Sequence, residues 1–115
     1  MMPRSIAALC GAALFVALPL AATAQSGIAS VYAYSGGETA SGEHASPQAM
    51  TAAHKSLPFG SKVRVTNLRN GHSAVVRIND RGPFVRGRII DVTPAAAHAL
   101  GFSGLAPVKV EVVHG

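Results

Sequence analysis

The chain has 115 residues, a formal net charge of +5 from ten Lys and Arg against five Asp and Glu, and a single cysteine. One cysteine excludes an intrachain disulfide, and two tyrosines, four phenylalanines and no tryptophan leave few platforms for stacking bases. The basic balance suits polyanions in general or simply keeps the protein soluble, so charge alone does not separate nucleic acid from an acidic wall polymer.

Residues 1–24 read as an export signal. Arg4 supplies the positive start, residues 6–20 form an uncharged apolar run, and Ala22-Thr23-Ala24 gives the small-x-small pattern ahead of a cleavage expected before Gln25. The run, about 15 residues, is shorter than the roughly 20 that span a bilayer as a helix. No stable membrane insertion is therefore expected after cleavage, and the expected location is the periplasm or cell envelope. Export weighs against nucleic acid as a partner. Cys10 lies inside the signal and follows Leu9 in an unbroken apolar stretch, so it is read as neither lipidated nor retained. Residues 25–115 then have room for one cysteine-free domain, expected to be monomeric.

Along that segment, residues 27–33 are a short apolar first strand, and residues 34–46, with Gly36, Gly37 and Gly42, are loop. Residues 50–54 are a short, mostly apolar piece ended by the turn 55–60. Residues 62–68 and 73–79 are rich in β-branched residues and are separated by Arg69-Asn70-Gly71-His72, a hairpin signal because Asn and Gly tolerate positive φ. After the turn at Arg81-Gly82-Pro83, residues 88–92 form another strand. Thr93-Pro94 reads as a helix N-cap and first position, residues 95–100 as a short helix, and Gly101 as its stop. Val108, Val110 and Val112 alternate with Lys109 and Glu111 in a closing strand with one buried face. Short strands with one short helix suggest a small closed β-barrel, which removes exposed edges. The pattern does not give the strand order.

Beyond the signal there are five carboxylates: Glu38, Glu43, Asp80, Asp91 and Glu111. Glu111 alternates outward and reads as solvated. The period of two places Asp80 on the face of Ala74, Val76 and Ile78, with Arg77 and Arg81 opposite. A carboxyl emerging from an apolar face favours its protonated form and suits a general acid. The alternatives are that Asp80 opens its turn by bonding its own backbone, or that Arg86 or Arg88 holds it ionised. Glu43, after a glycine in a polar loop, reads as solvated by default, and His54 as a buried hydrogen-bonding residue. Asp91 precedes the helix start and reads as a tie between strand and helix. His44 and His54 have nine residues between them and no assisting cysteine, which matches no metal-ligand spacing. No nucleophilic triad, phosphate loop or cofactor motif can be argued.

Six segments change this picture: Thr39-Ala40-Ser41-Gly42-Glu43, Met50-Thr51-Ala52-Ala53-His54-Lys55, Leu57-Pro58-Phe59-Gly60, Val63-Arg64-Val65-Thr66-Asn67-Leu68, Asn79-Asp80-Arg81-Gly82-Pro83-Phe84 and Arg88-Ile89-Ile90-Asp91. In this order they resemble the catalytic domain of the rare lipoprotein A (RlpA) family of septal-ring lytic transglycosylases, from about residue 27 to 113. The resemblance implies a mainly β fold, a six-stranded double-psi β-barrel with one or two short helices. It implies endolytic cleavage of peptidoglycan between N-acetylmuramic acid and N-acetylglucosamine on peptide-free glycan strands, leaving 1,6-anhydro ends, without cofactor or metal. It assigns Asp80 as acid and then base, Glu43 and His54 as residues that position substrate or tune Asp80, and Asp91 as support or alternative acid. Relatives carry Trp-Tyr-Gly where this chain has Val31-Tyr32-Ala33. An expansin-like module that binds wall polysaccharide without cutting it is the competing expectation.

Overall fold

The computed structural model describes residues 24–32 and 37–114. The expected signal, 1–24, lies outside the described residues except for Ala24. Six strands, β1 (Ala24–Val31), β2 (Thr51–Ala53), β3 (Lys62–Asn67), β4 (Ser73–Asp80), β5 (Arg88–Val92) and β6 (Leu105–Val112), are joined by one helix, α1 (Pro94–Leu100). They close into a barrel in the order β1-β5-β2-β4-β3-β6. The β1/β5 and β2/β4 pairs are parallel, and the others are antiparallel.

Alternation makes the core. Val63 and Val65 of β3 are buried while Lys62 and Arg64 are exposed, and Ala106, Val108 and Val110 are the buried positions of the neighbouring strand β6. Val76, Ile78, Ile90, Val92 and Leu100 complete a core of β-branched and aliphatic side chains. β1 begins three residues before the expected start, because Ala24, Gln25 and Ser26 pair with Glu111, Val110 and Lys109. All three are exposed at the start of the strand and show no apolar alternation. Glu111 itself lies 3.6 Å from Lys109 on the surface.

The hairpin between β3 and β4 forms as expected, with Gly71 at φ +79°. It also closes the helix. Asn67 and Asn70 donate their amides to the Leu100 carbonyl, one of the carbonyls a helix end leaves unpaired. Thr93 is the N-cap, its Oγ1 accepting from the Ala96 N–H, and Gly101 ends the helix in the left-handed region at φ +74°. A Cβ on Gly101 would also stand 2.7 Å from Asn70 Nδ2.

Two irregularities shape the working face. In the β1/β5 pair, Ile28 matches Arg88 and Ala29 matches Ile90, so Ile89 is an extra residue. Its side chain fills the place where a Cβ on Gly27 would be, 2.6 Å from Cγ2. In the β2/β4 pair, Ala52 matches Ile78 and Ala53 matches Asp80, so Asn79 is extra. Bulges of this kind bend a strand and re-aim the side chains beside them.

Candidate active site

The register of four neighbouring strands sets Ser30 level with Asp91, Asp91 level with Ala53, and Ala53 level with Asp80. Core residues flank this row: Ala29 precedes Ser30, Ile90 and Val92 bracket Asp91, and Ala52 precedes Ala53. Alternation therefore turns the row away from the barrel interior, although Ser30 and Ala53 are themselves covered and only Asp80 and Asp91 are part-exposed. Strict alternation would have kept Asp80 on the Ile78 side, as the sequence suggests. The bulge at Asn79 corrects that expectation and brings Asp80 to the outer face, beside Ala53. Strands lie roughly 4.8 Å apart, so the two aspartate backbones are about 10 Å apart, with the strand of Ala53 between them.

Three donors converge on the Asp80 carboxylate. Tyr32 Oη donates to Oδ2 at 2.8 Å, and the Ala40 and Arg81 N–H groups donate to Oδ1 at 2.9 Å each. The Arg81 contact is what a turn-opening aspartate makes, but the other two partners are 48 and 40 residues away in sequence. Neither Arg86 nor Arg88 contacts Asp80. The surroundings are thus donor-rich rather than apolar. An ionised carboxylate, which only accepts, fits them best.

Asp91 differs. It is half-buried, and burial pushes its carboxyl above the usual range, against the lowering pull of the Ser30 hydroxyl and Arg88, with the Asp80 charge adding to the rise. Its partner is Ser30 of the adjacent strand at 3.2 Å, so Asp91 ties strand to strand and not strand to helix. Thr93 alone caps the helix.

Glu43 does not touch Asp80. It is exposed and forked onto Arg77 (Nη1 to Oε1 3.0 Å, Nη2 to Oε2 2.8 Å), with Asn79 Nδ2 donating at 2.9 Å. Arg77, then Asn79, hold its carboxyl down at about 2. It belongs to a tight turn in which Glu38 bridges His44 and the Thr39 N–H donates to the Glu43 carbonyl. That turn carries the Ala40 N–H to Asp80, and Glu43 pins it to β4. The sequence marks Glu43 as solvated. Its ion pair is a long-range contact that local composition does not reveal.

His54 is buried. Its Nδ1 accepts from the Ser56 and Leu57 N–H groups, both at 3.1 Å, and its Nε2 meets Gln25 Oε1 at 2.9 Å. Nδ1 is thus unprotonated and Nε2–H donates, the neutral tautomer. Burial first, then the charges of Arg81 and Lys55, lower its pKa. Both ring nitrogens are committed to the protein. The ring shapes the turn whose His54 and Leu57 carbonyls hold the Arg81 guanidinium, stacked 4.1 Å from the Phe59 ring. His44 is exposed, and among the described residues no group of three His, Cys, Asp or Glu could hold a metal ion. Sequence reasoning missed Tyr32 and Ser30. The available signs are that period two in β1 puts both on the same face and that Tyr32 stands where the Trp-Tyr-Gly of relatives has its tyrosine.

A lytic transglycolase family model matches residues 24–112. The chain is 61% identical over 93 residues to a probable endolytic peptidoglycan transglycosylase RlpA of Nostoc, an alignment covering 76% of this chain and 25% of that protein. It is 53% identical over 94 residues to the endolytic peptidoglycan transglycosylase RlpA of Pasteurella multocida, covering 78% and 32%. The chain thus spans about a quarter to a third of the length of these relatives. Among solved structures it is similar to an expansin of Clavibacter michiganensis (TM-score 0.62, 22% identity, covering 79% of this chain and 50% of that one). It is also similar to a Streptomyces papain inhibitor (TM-score 0.61, 21% identity, covering 79% and 94%). At these identities the structural likeness shows a shared fold.

Proposed function

This chain belongs to the lytic transglycolase family of double-psi barrels, and from that premise we propose that it is an exported peptidoglycan lytic transglycosylase. It cuts the β-1,4 bond between N-acetylmuramic acid and N-acetylglucosamine on glycan strands stripped of their stem peptides. The carrying observation is the pair of carboxyls, Asp80 and Asp91, level with each other on either side of Ala53.

The reaction breaks muramyl C1–O4 and forms C1–O6 within the same sugar. The leaving O4 takes one proton and O6 loses one, so no water enters and the product ends in a 1,6-anhydro ring. Groups whose environments favour opposite protonation states divide such work. Asp91, favoured in its protonated form by burial, donates to O4. Asp80, ringed by donors, takes the proton from O6. Exchange with solvent resets the pair. The nucleophile belongs to the substrate, so the carboxylate spacings that govern water-dependent glycoside hydrolysis do not apply. This gives the acid step to Asp91, which the resemblance offers as support or alternative acid, and leaves Asp80 the base step of the two it is assigned there. Glu43 holds the turn that delivers the Ala40 N–H, and His54 holds the turn that anchors Arg81. Neither metal nor cofactor is needed.

The test is digestion of purified peptide-free glycan in heavy-oxygen water, read by mass spectrometry. New anhydromuramyl ends without solvent oxygen support the proposal. Reducing ends carrying the heavy isotope would make the protein a hydrolase. Wall binding with no new ends would favour the expansin-like module.

A further inference from the structure

β1 and β4 do not pair, since β5 and β2 lie between them on one side and β6 and β3 on the other. Yet the phenol of Tyr32, one residue beyond β1, reaches the last residue of β4. Its backbone is fixed by an N–H bond to the Val92 carbonyl at 2.9 Å. Alternation places Tyr32 on the Ser30 face, so the ring lies along the row that holds Asp91, Ala53 and Asp80.

A carboxylate offers about four lone-pair positions. The Ala40 and Arg81 N–H groups take the two on Oδ1, and Tyr32 takes one on Oδ2. Among the described residues one position stays open, on Oδ2, next to the phenol oxygen.

We propose that Tyr32 is a positioning residue that presents this single position of Asp80 Oδ2 to the reacting hydroxyl of the substrate. The inference rests on the reading of Asp80 as the base. Tyr32 itself does not exchange protons in the reaction. Burial, the hydrogen bond to Asp80 and the charges of Asp80 and Asp91 all push its phenol well above the ordinary tyrosine range, so it stays a donor. The side chain has only two rotatable bonds and a hydrogen-bonded backbone, which makes it a stiff strut. Without the hydroxyl, Oδ2 has two open positions and the carboxylate loses its constraint from β1.

Tyr32→Phe in the full chain keeps the ring and removes the hydroxyl. On peptide-free glycan, KM is expected to stay within about threefold while kcat falls by about 10- to 100-fold, with the acidic limb of the kcat–pH profile moved to higher pH. A purely structural tyrosine would lower the thermal midpoint and leave that limb in place. A second measurement does not depend on Tyr32→Phe folding. In a Tyr34→Phe background one phenol remains, and its alkaline absorbance titration is followed with and without Asp80→Asn. The titration is expected to move down when the carboxylate is removed. An unmoved titration, or an active Tyr32→Phe enzyme with kcat within about twofold of wild type and an unchanged profile, overturns the inference. A wild-type protein that makes no anhydro ends refutes the enzymatic reading itself and is recognised before any variant is compared.

Discussion

Replacing His54 by alanine separates a histidine that holds the fold from one that performs chemistry. Its Nδ1 satisfies two backbone N–H groups at 3.1 Å, and each lost hydrogen bond costs about 1 kcal/mol. The emptied site adds about 1–2 kcal/mol, because the ring is only 5% exposed. The expected loss is therefore about 3–4 kcal/mol, enough to lower the midpoint of thermal unfolding of so small a protein by on the order of 15 °C. Activity per folded molecule, measured well below that midpoint, should stay within about fivefold of wild type. His54→Asn, whose amide oxygen can accept where Nδ1 did, should recover part of the stability. The pH dependence has a definite sign. The folded state lowers the pKa of His54 from its ordinary 6.5, so its contribution is present above pH 6.5 and is lost as pH falls below it. Urea unfolding at several pH values reads both effects. A His54→Ala protein as stable as wild type but inactive would refute this account and move His54 into the chemistry.

Asp91→Asn should lower turnover by at least about 100-fold through loss of the acid, yet make the protein more stable at neutral pH. The folded state raises the Asp91 pKa, so its stabilising share is complete below the ordinary carboxyl value of 3.8 and is lost as pH rises through the folded one. Denaturation at pH 4 and pH 7 should show the gain mainly at the higher pH. Glu43→Gln should lower kcat by roughly tenfold through a looser Ala40 contact, without changing the shape of the profile between pH 4 and 7. With its carboxyl held at about 2, Glu43 does not titrate there. Gly27→Ala should cost about 1–3 kcal/mol, because the new methyl meets Ile89, and a thermal melt would show it.

What could be read from the sequence follows from which contacts are local. Asn70-Gly71 announces the β3/β4 hairpin, and Thr93-Pro94 with Gly101 announces the helix, because each signal acts within a few residues. The strand order stays hidden, since among the described strands β3 and β4 alone are neighbours both in sequence and in the barrel. β2, three residues long, is too short to show a period. The family motifs pick out Glu43, His54, Asp80 and Asp91, but their surroundings depend on distant partners. Arg77 and Asn79 fork onto Glu43, Gln25 meets His54, and Ser30 meets Asp91. The face of Asp80 is misread because one extra residue, Asn79, breaks the alternation just before it.

The central claim is that the Asp80 carboxylate takes the proton of the attacking hydroxyl. Asp80→Asn keeps the shape of the side chain and can still accept from Tyr32 or from the two backbone N–H groups, so the fold should survive, as circular dichroism would show. The deciding measurement is the rate at which this variant forms anhydromuramyl ends on peptide-free glycan, beside wild type. The account predicts a fall of at least about 100-fold with glycan binding retained. A folded Asp80→Asn protein that makes those ends at the wild-type rate would contradict it.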